Sequence, residues 1–250
     1  MDRASLLQRW ATNTFVKFRG AVAYVETVGQ GGDLGIGTCF HVGEGVFVSA
    51  RHVVEGRAIV KIGFDDWNSG RELLGDDPTQ WGDGPDDQPI LSGPHFHPDA
   101  RVDVACFQLK RFPSTSIPLG GHLDDWLSQY DLVLHRCLIM GYPPIPLANR
   151  AVLFATVGEV NALVDLYGSH QHPHFLVSSM ARGGLSGAPA LVAYDEMNEG
   201  GGTAALGLVT ESLVRDGWSA DVGYMAVLTV EPIYACLEHH GLLPEAQRIV

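Results

Sequence analysis

A serine set between glycines is the residue of this chain whose type and spacing are best suited to chemistry. Residues 183–189 read GGLSGAP, which places Ser186 in a tight turn with Pro189 three residues further on. Such a turn can expose a hydroxyl while nearby backbone N–H groups converge on one point, as an acyl-transfer nucleophile requires. The same residue types also form ordinary turns. The motif therefore acquires a catalytic meaning only if a base and a carboxylate are available elsewhere in the chain.

One histidine and one aspartate have a local context that fits those two roles. His52 follows the apolar run 46–50, VFVSA, which predicts a strand that ends next to the imidazole. Asp103 lies near the start of the apolar run 101–109, where a carboxylate is costly to bury unless a donor such as a histidine Nδ1–H satisfies it. Taken singly, each is more typical of a structural role. Asp99, in the tripeptide His-Pro-Asp, is more typical of a turn residue.

The composition bounds the class of protein and its partners. With 250 residues and 46% hydrophobic content, the chain can bury a sizeable core. The 30 glycines and 14 prolines separate short apolar runs, which favours many strands joined by turns. A net charge of −13 with only 16 Lys and Arg argues against a nucleic-acid partner. No apolar run is long enough to span a membrane and no signal-peptide core is visible, so we expect a cytoplasmic protein with no membrane partner.

The remaining groups with metal-ligating or redox chemistry favour structural roles. The four cysteines lie in apolar segments without C-x-x-C spacing, which predicts reduced core thiols rather than a disulfide framework or zinc site. His170, His172 and His174 alternate, as a strand-borne metal site would require, but their context is that of a turn leading into a strand. His95 and His97 are interpreted in the same way. The cysteines are Cys39, Cys106, Cys137 and Cys236.

Segment 65–90 is rich in acidic residues. It is interpreted as a surface loop, with calcium binding or the steering of a basic substrate as an alternative. It lacks the spacing of a calcium-binding loop.

The pattern of apolar runs predicts two strand-rich units flanked by short helices. A helix over 3–12 precedes the first unit, and a helix that begins near Pro232 and stops at Gly241 follows the second. We expect one unit in residues 1–112, which include His52 and Asp103, and one in 113–250, which include Ser186. The predicted strands of the first unit are 15–28, 35–42, 46–50, 57–64 and 101–109, and those of the second are 131–140, 150–160, 173–180, 190–194, 204–210 and 224–230.

Together the three segments resemble motifs of the chymotrypsin/trypsin-like serine protease superfamily. Ser-Ala-Arg-His52 is similar to that family's Thr-Ala-Ala-His, Asp103-Val-Ala to its Asp-Ile-Ala, and Gly-Leu-Ser186-Gly-Ala-Pro to its Gly-Asp-Ser-Gly-Gly-Pro. The order His, Asp, Ser is also the family's. The resemblance covers residues 15–240. It implies an all-β, chymotrypsin-like fold of two six-stranded antiparallel β-barrels packed face to face.

The resemblance also implies roles for single residues. Ser186 is the expected nucleophile, His52 the base and Asp103 the group that orients the imidazole, which makes a serine endopeptidase acting on a polypeptide substrate. The backbone N–H groups of Gly184 and Ser186 are the expected oxyanion hole. No cofactor is required.

The same resemblance implies which residues contact the substrate. Met180 corresponds to the base of the primary pocket, and Thr210, Glu211 and Ser212 to the strand that pairs with the substrate backbone. An apolar Met180 argues against a preference for basic side chains, although Glu211 or Asp221 could restore one if it faced the pocket.

Two departures from the family pattern bear on control. Leu185 replaces the aspartate that in zymogen-type members pairs with a freshly cut N-terminus, and the chain has no Ile-Val-Gly-Gly start. Val53 stands where secreted members have a disulfide cysteine, in agreement with a reducing compartment. The chain thus resembles intracellular bacterial-type members. Regulated limited proteolysis, with a regulatory protein partner, is the hypothesis these departures motivate.

Two other functions stay open on the sequence alone. An α/β-hydrolase esterase would use His239 or His240, which follow the serine as that chain order requires, but Ala188 breaks its G-x-S-x-G motif. A catalytically silent protease fold that binds peptides is the second alternative.

Overall fold

The computed structural model describes residues 3–64, 90–121, 132–148, 150–164, 173–179, 183–193, 202–212 and 224–248. Within these ranges, no helix is long and apolar enough to cross a lipid bilayer. The acidic segment 65–89, Met180, Asp221, His170 and His172 lie outside the described residues.

The N-terminal helix is longer than the sequence pattern predicted. Helix α1 spans Arg3–Phe18, and the first strand, β1, spans only Val22–Val28. The prediction of a strand from residue 15 was wrong, because Ala11, Thr14 and Phe18 recur at helical spacing and form one buried face. The indole N–H of Trp10 donates to Thr203 Oγ1 at 3.1 Å, which attaches this helix to the second barrel.

The first unit is a six-stranded antiparallel sheet with the strand order β4-β1-β2-β3-β6-β5. A single helical turn, α2 (Arg51–Val54), follows β3. Strands β4 and β5 lie at the two edges, and the chain that joins them is the undescribed segment 65–89. The strands are β2 (Leu34–Gly43), β3 (Val46–Ser49), β4 (Ala58–Gly63), β5 (Ile90–Phe96) and β6 (Ala105–Leu109).

The second unit is a closed antiparallel barrel with the order β10-β11-β12-β9-β8-β7. Its strands match the six predicted apolar runs to within five residues. The all-β double-barrel prediction is confirmed, with the first unit present as an open half-barrel that is called the first barrel below. The strands are β7 (Arg136–Gly141), β8 (Phe154–Val164), β9 (His174–Ser178), β10 (Pro189–Ala193), β11 (Thr203–Ser212) and β12 (Tyr224–Thr229).

The C-terminal segment packs against the first unit and the connection between the two units. Helix α3 spans Glu231–His239, with proline in its first turn and Gly241 in a left-handed conformation just beyond it. After it, the buried Gln247 side chain donates to the carbonyl oxygens of Val42 and Ile117, and its own oxygen accepts from the Leu119 N–H. These bonds hold the end of the chain against β2 and against the connection between the barrels.

Two kinds of titratable group are buried in the core. The imidazole of His41 is 2% exposed; Nδ1 lies 2.7 Å from the Thr115 carbonyl oxygen, and Nε2 accepts from the Gly45 N–H. This pairing requires the neutral ring, and burial lowers the pKa of His41. All four cysteines are buried and free, with the Sγ atoms of Cys106 and Cys236 3.7 Å apart.

Candidate active site

His52 is presented by the single helical turn that follows strand β3. Ala50, the residue after β3, is extended (φ −73°, ψ 141°), and α2 begins at the next residue. Val53 and Val54 are buried on the inner side of this turn, whereas half of the His52 side chain is exposed. The alternation of apolar and polar residues thus anchors the turn in the first barrel and leaves the imidazole on its open side.

Asp103 lies just before β6 and holds His52 at two points. Val102 and Val104 on either side are buried, so the backbone at Asp103 is fixed. Oδ1 accepts from the backbone N–H of His52 at 2.9 Å, and Oδ2 lies 2.7 Å from His52 Nδ1. The carboxylate, 17% exposed, thereby keeps a proton on Nδ1 and leaves the lone pair of the imidazole on Nε2, the tautomer that a general base requires.

Ser186 lies in a tight loop that two glycines make possible. Gly184 and Gly187 have φ values of +87° and +84°, a region that favours glycine, and the Ala188 N–H donates to the Leu185 carbonyl oxygen at 2.8 Å. A Cβ on Gly184 would lie 2.5 Å from the Tyr142 carbonyl oxygen, so this position also requires glycine on steric grounds. The loop therefore owes its shape to the residue types of the motif.

The loop is part of the second barrel but is held against the first. The N–H of Thr38 on β2 donates to the Ser186 carbonyl oxygen at 2.9 Å, and its hydroxyl donates to the Gly184 carbonyl oxygen at 2.7 Å. A Cβ on Gly187 would lie 3.0 Å from the backbone nitrogen of Ala50, two residues before His52. These contacts bring the serine loop to the turn that carries the imidazole.

The candidate oxyanion donors are the backbone N–H groups of Gly184 and Ser186. Among the residues that the structure describes, no carbonyl or side chain accepts a hydrogen bond from the backbone N–H of Gly184 or of Ser186. In the same loop, Gly187 donates to the Val209 carbonyl oxygen at 2.7 Å. Two N–H groups on a constrained loop beside a serine are the donors that a developing oxyanion needs.

The expected substrate-pairing strand adjoins this loop. The N–H of Val209 on β11 donates to the Ala188 carbonyl oxygen at 2.9 Å, and a bulge in the pairing of β11 with β12 follows Val209. Thr210 is buried, with its hydroxyl 3.4 Å from the Ala226 carbonyl oxygen. The backbone of Glu211 and Ser212 continues the strand, paired with Ala226 and Met225.

The other histidine candidates in the described residues have contacts outside the Ser186, His52 and Asp103 set. His95 stacks on His240 with ring centroids 4.7 Å apart, and His240 Nε2 lies 2.8 Å from the Phe96 carbonyl oxygen. His97 pairs with the backbone N–H of Asp99 in a turn. His174 is buried on β9. Within the described part of the chain, no group of three His, Cys, Asp or Glu side chains could hold a metal ion.

Comparison with solved structures finds this double barrel in several serine proteases. The active form of the Rv3671c protease from M. tuberculosis matches with a TM-score of 0.59 at 16% identity, over 94% of this chain and 85% of that one. The HtrA-type protease AlgW with tripeptide matches with a TM-score of 0.58 at 17% identity, over 96% and 65%. The serine endoprotease from Yersinia pestis matches with a TM-score of 0.53 at 13% identity, over 92% and 65%. The chain thus spans slightly under two thirds of the latter two.

These matches define the class of fold. The chain has the chymotrypsin/trypsin-like serine protease fold, as the resemblance of its three motifs implied. No protein-family model and no curated protein matches the sequence.

Sequence reasoning missed one residue that the site depends on. Thr38 contacts the serine loop through both its backbone and its hydroxyl, yet it lies 146 positions from Gly184 in the sequence. The only local signal is its place after two glycines in the run Gly35-Ile36-Gly37, which marks a strand that other backbone approaches closely.

Proposed function

We propose that this protein is a serine endopeptidase whose catalytic residues are Ser186, His52 and Asp103. The observation that carries the proposal is the two-point hydrogen bonding of Asp103 to His52 beside a glycine-shaped serine loop. An aspartate that only closed a turn would have no reason to accept from both the backbone and the ring of the same histidine. The shared fold with known serine proteases supports the same function.

The proposed reaction has two halves, acylation and deacylation, and the same catalytic groups act in both. Ser186 Oγ attacks the scissile carbonyl carbon as its proton moves to His52 Nε2, and the carbonyl oxygen becomes an oxyanion that accepts from Gly184 and Ser186 N–H. His52 then gives its proton to the leaving amine as the C–N bond breaks. In deacylation, water gives a proton to His52 Nε2 as its oxygen attacks the acyl carbon; the ester C–O bond to Ser186 then breaks, Ser186 Oγ takes the proton back from His52, and the acid is released. Asp103 stays ionised throughout and stabilises the imidazolium.

A peptide substrate is favoured by the strand next to the serine. Backbone groups of Thr210, Glu211 and Ser212 extend from the strand that the serine loop bonds to, where an extended peptide could add by backbone hydrogen bonds. The AlgW structure was solved with a tripeptide, and a peptide is the class of substrate that we propose for this chain. The free, buried cysteines support a reducing compartment, and we propose regulated limited proteolysis in the cytoplasm.

A fluorophosphonate probe tests the proposal, because it reacts only with an activated serine. We expect labelling of the wild type and of Ser114→Ala, an exposed serine in the connection between the barrels, and none of Ser186→Ala. His52→Ala should label at least about 10³-fold more slowly, whereas an esterase using His239 or His240 would label normally. Absence of labelling in the wild type under all conditions, with candidate partners included, would favour the peptide-binding module.

The regulated mode has its own test. Cleavage sites mapped across a proteome with wild type and Ser186→Ala should be few. Broad degradation of unfolded substrates by the isolated protein would contradict regulated limited proteolysis while leaving the protease assignment intact.

A further inference from the structure

We infer that Thr38 is a positioning residue that holds the serine loop in its reactive shape, an inference that rests on the proposed function. Thr38 is fully buried in β2 of the first barrel, and its side chain belongs to neither the nucleophile, the base nor the orienting carboxylate. Its backbone N–H and its hydroxyl nevertheless form hydrogen bonds to Ser186, Gly184 and Tyr142 of the second barrel.

The hydroxyl of Thr38 joins two segments of the second barrel. It donates its proton to the Gly184 carbonyl oxygen at 2.7 Å and accepts from the Tyr142 N–H at 3.0 Å. One O–H donor and one lone pair are thus both used, with well-formed distances. Because the site is buried, water cannot replace either bond if the hydroxyl is lost.

The backbone of Thr38 completes the attachment. Its N–H donates to the Ser186 carbonyl oxygen, and its own carbonyl oxygen accepts from Ser49 Oγ at 2.7 Å, at the end of the strand that leads to His52. The preceding Gly37 leaves room for Val53, because a Cβ there would lie 2.5 Å from Val53 Cγ1. Residues 37 and 38 therefore lie between the turn that carries the base and the loop that carries the nucleophile.

The positions of the bonds explain why they matter for the oxyanion donors. The Gly184 carbonyl belongs to the peptide unit between residues 184 and 185, and the Ser186 carbonyl to the unit between 186 and 187. The unit that carries the Ser186 N–H lies between these two, so bonds to both carbonyl oxygens restrict its orientation. The same bond to Gly184 opposes rotation of a glycine whose φ of +87° allows many alternatives. Removal of the hydroxyl frees one of these two anchors and leaves the other, which is made by backbone.

Loss of the Thr38 hydroxyl should weaken stabilisation of the transition state rather than binding of the substrate. Ground-state peptide needs only the strand and the pocket, whereas the oxyanion needs both N–H groups in place. A loop that samples other shapes therefore lowers kcat and the rate of fluorophosphonate labelling, with little change in KM.

Thr38→Val is the direct test, because valine keeps the shape and the β-branch and removes only the hydroxyl. We expect labelling and kcat to fall about 10- to 100-fold with KM within about threefold, since one anchored donor is disturbed rather than deleted. Thr38→Ser, which restores the hydroxyl, should recover most of the rate. Thr229→Val is the matched control, because its buried hydroxyl has no partner among the described residues and lies on β12.

A second measurement is independent of activity. In hydrogen exchange, the amides of Gly187, bonded to Val209 on β11, and of Ala188, bonded to Leu185 within the loop, should exchange about tenfold faster in Thr38→Val than in wild type or Thr229→Val. A wild type that fails to label under all conditions, with candidate partners included, counts against the proposed function, and the exchange comparison still decides the role of Thr38.

Three results would overturn the inference. The first is a folded Thr38→Val with wild-type labelling and loop exchange, and the second is an equal loss in Thr38→Ser, which would assign the effect to the methyl group. If Thr38→Val does not fold, Thr38→Ala takes its place. Failure of both to fold is the third, because the hydroxyl would then support the core rather than the loop.

Discussion

Replacing Asp103 with asparagine separates the two hydrogen bonds that define the candidate site. Asparagine Oδ1 can still accept from the His52 backbone N–H, now at 2.9 Å, so the turn stays in place. Its NH₂ group then faces Nδ1 at the position of Oδ2, 2.7 Å away, and can only donate. The imidazole must therefore move its proton to Nε2, where it can no longer accept the proton of Ser186.

Asp103→Asn should change the catalytic rate and the stability of the fold by very different amounts. A base in the wrong tautomer lowers kcat by about 10⁴-fold. The fold loses one charge-assisted hydrogen bond at a partly exposed site and regains a neutral one, which costs less than about 2 kcal/mol. We therefore expect a folded protein with a thermal midpoint near that of the wild type and almost no activity.

Asp99→Asn is the matched control for this experiment. Asp99 lies four residues earlier, receives the backbone N–H of Arg101 at 3.0 Å and forms an exposed ion pair with its guanidinium. The same chemical change there should cost up to about 1 kcal/mol of stability and no activity. Initial rates of peptide hydrolysis and of fluorophosphonate labelling give the readout. Activity of Asp103→Asn within tenfold of the wild type, or an equal loss in Asp99→Asn, would refute the reasoning.

Three further predictions concern the loop, the buried imidazole and the thiols. Gly187→Ala should lower the free energy of unfolding by about 1–2 kcal/mol from its φ of +84° alone and by more from the clash of its Cβ with the Thr38 carbonyl oxygen, which thermal denaturation can measure; a midpoint equal to the wild type's would contradict the loop geometry. Burial lowers the pKa of His41, so the unfolded chain binds the extra proton first and stability should be full above about pH 6.5 and decline as the pH falls below it; denaturant titrations from pH 8 to 5 should show a shallower decline in His41→Gln. Burial raises the pKa of Cys137 to about 12, so the native protein should not react with Ellman's reagent at pH 8, whereas all four thiols should react in denaturant.

The sequence predicted most strands because their signal is local. Apolar runs bounded by glycine, proline or aspartate correspond to most of the strands in the described ranges, and the C-terminal helix begins and ends at its proline and glycine signals. Strand β5 was missed. It contains Gly93 and Pro94, which normally argue against a strand, and it can hold them because it lies at the edge of the sheet.

The residues of the candidate site that stand in local sequence motifs were predicted, whereas a residue that acts through distant contacts was not. Ser186, His52 and Asp103 each stand in a recognisable run, and the structure brings Asp103 to His52; their catalytic roles stay a prediction. Met180 lies outside the described residues, so its place at the base of the primary pocket stays a prediction from sequence. Thr38 could not be found in advance, because a buried hydroxyl becomes important only through the partner that a distant part of the chain supplies.

Leu185 connects the shape of the loop with its control. It stands where zymogen-type relatives have an aspartate, and it is 1% exposed, with Cδ2 close to Gly141 at the end of β7. Burial of a leucine contributes about 1.5–3 kcal/mol, and this contribution is present as soon as the chain folds and does not depend on a new N-terminus. In place of that ion pair, we propose apolar burial of Leu185 and the hydrogen bonds of Thr38 as the forces that order the loop. Because Leu185 offers no carboxylate to a freshly cut N-terminus, we propose that a regulator would act on the contact between the barrels or on access to the cleft.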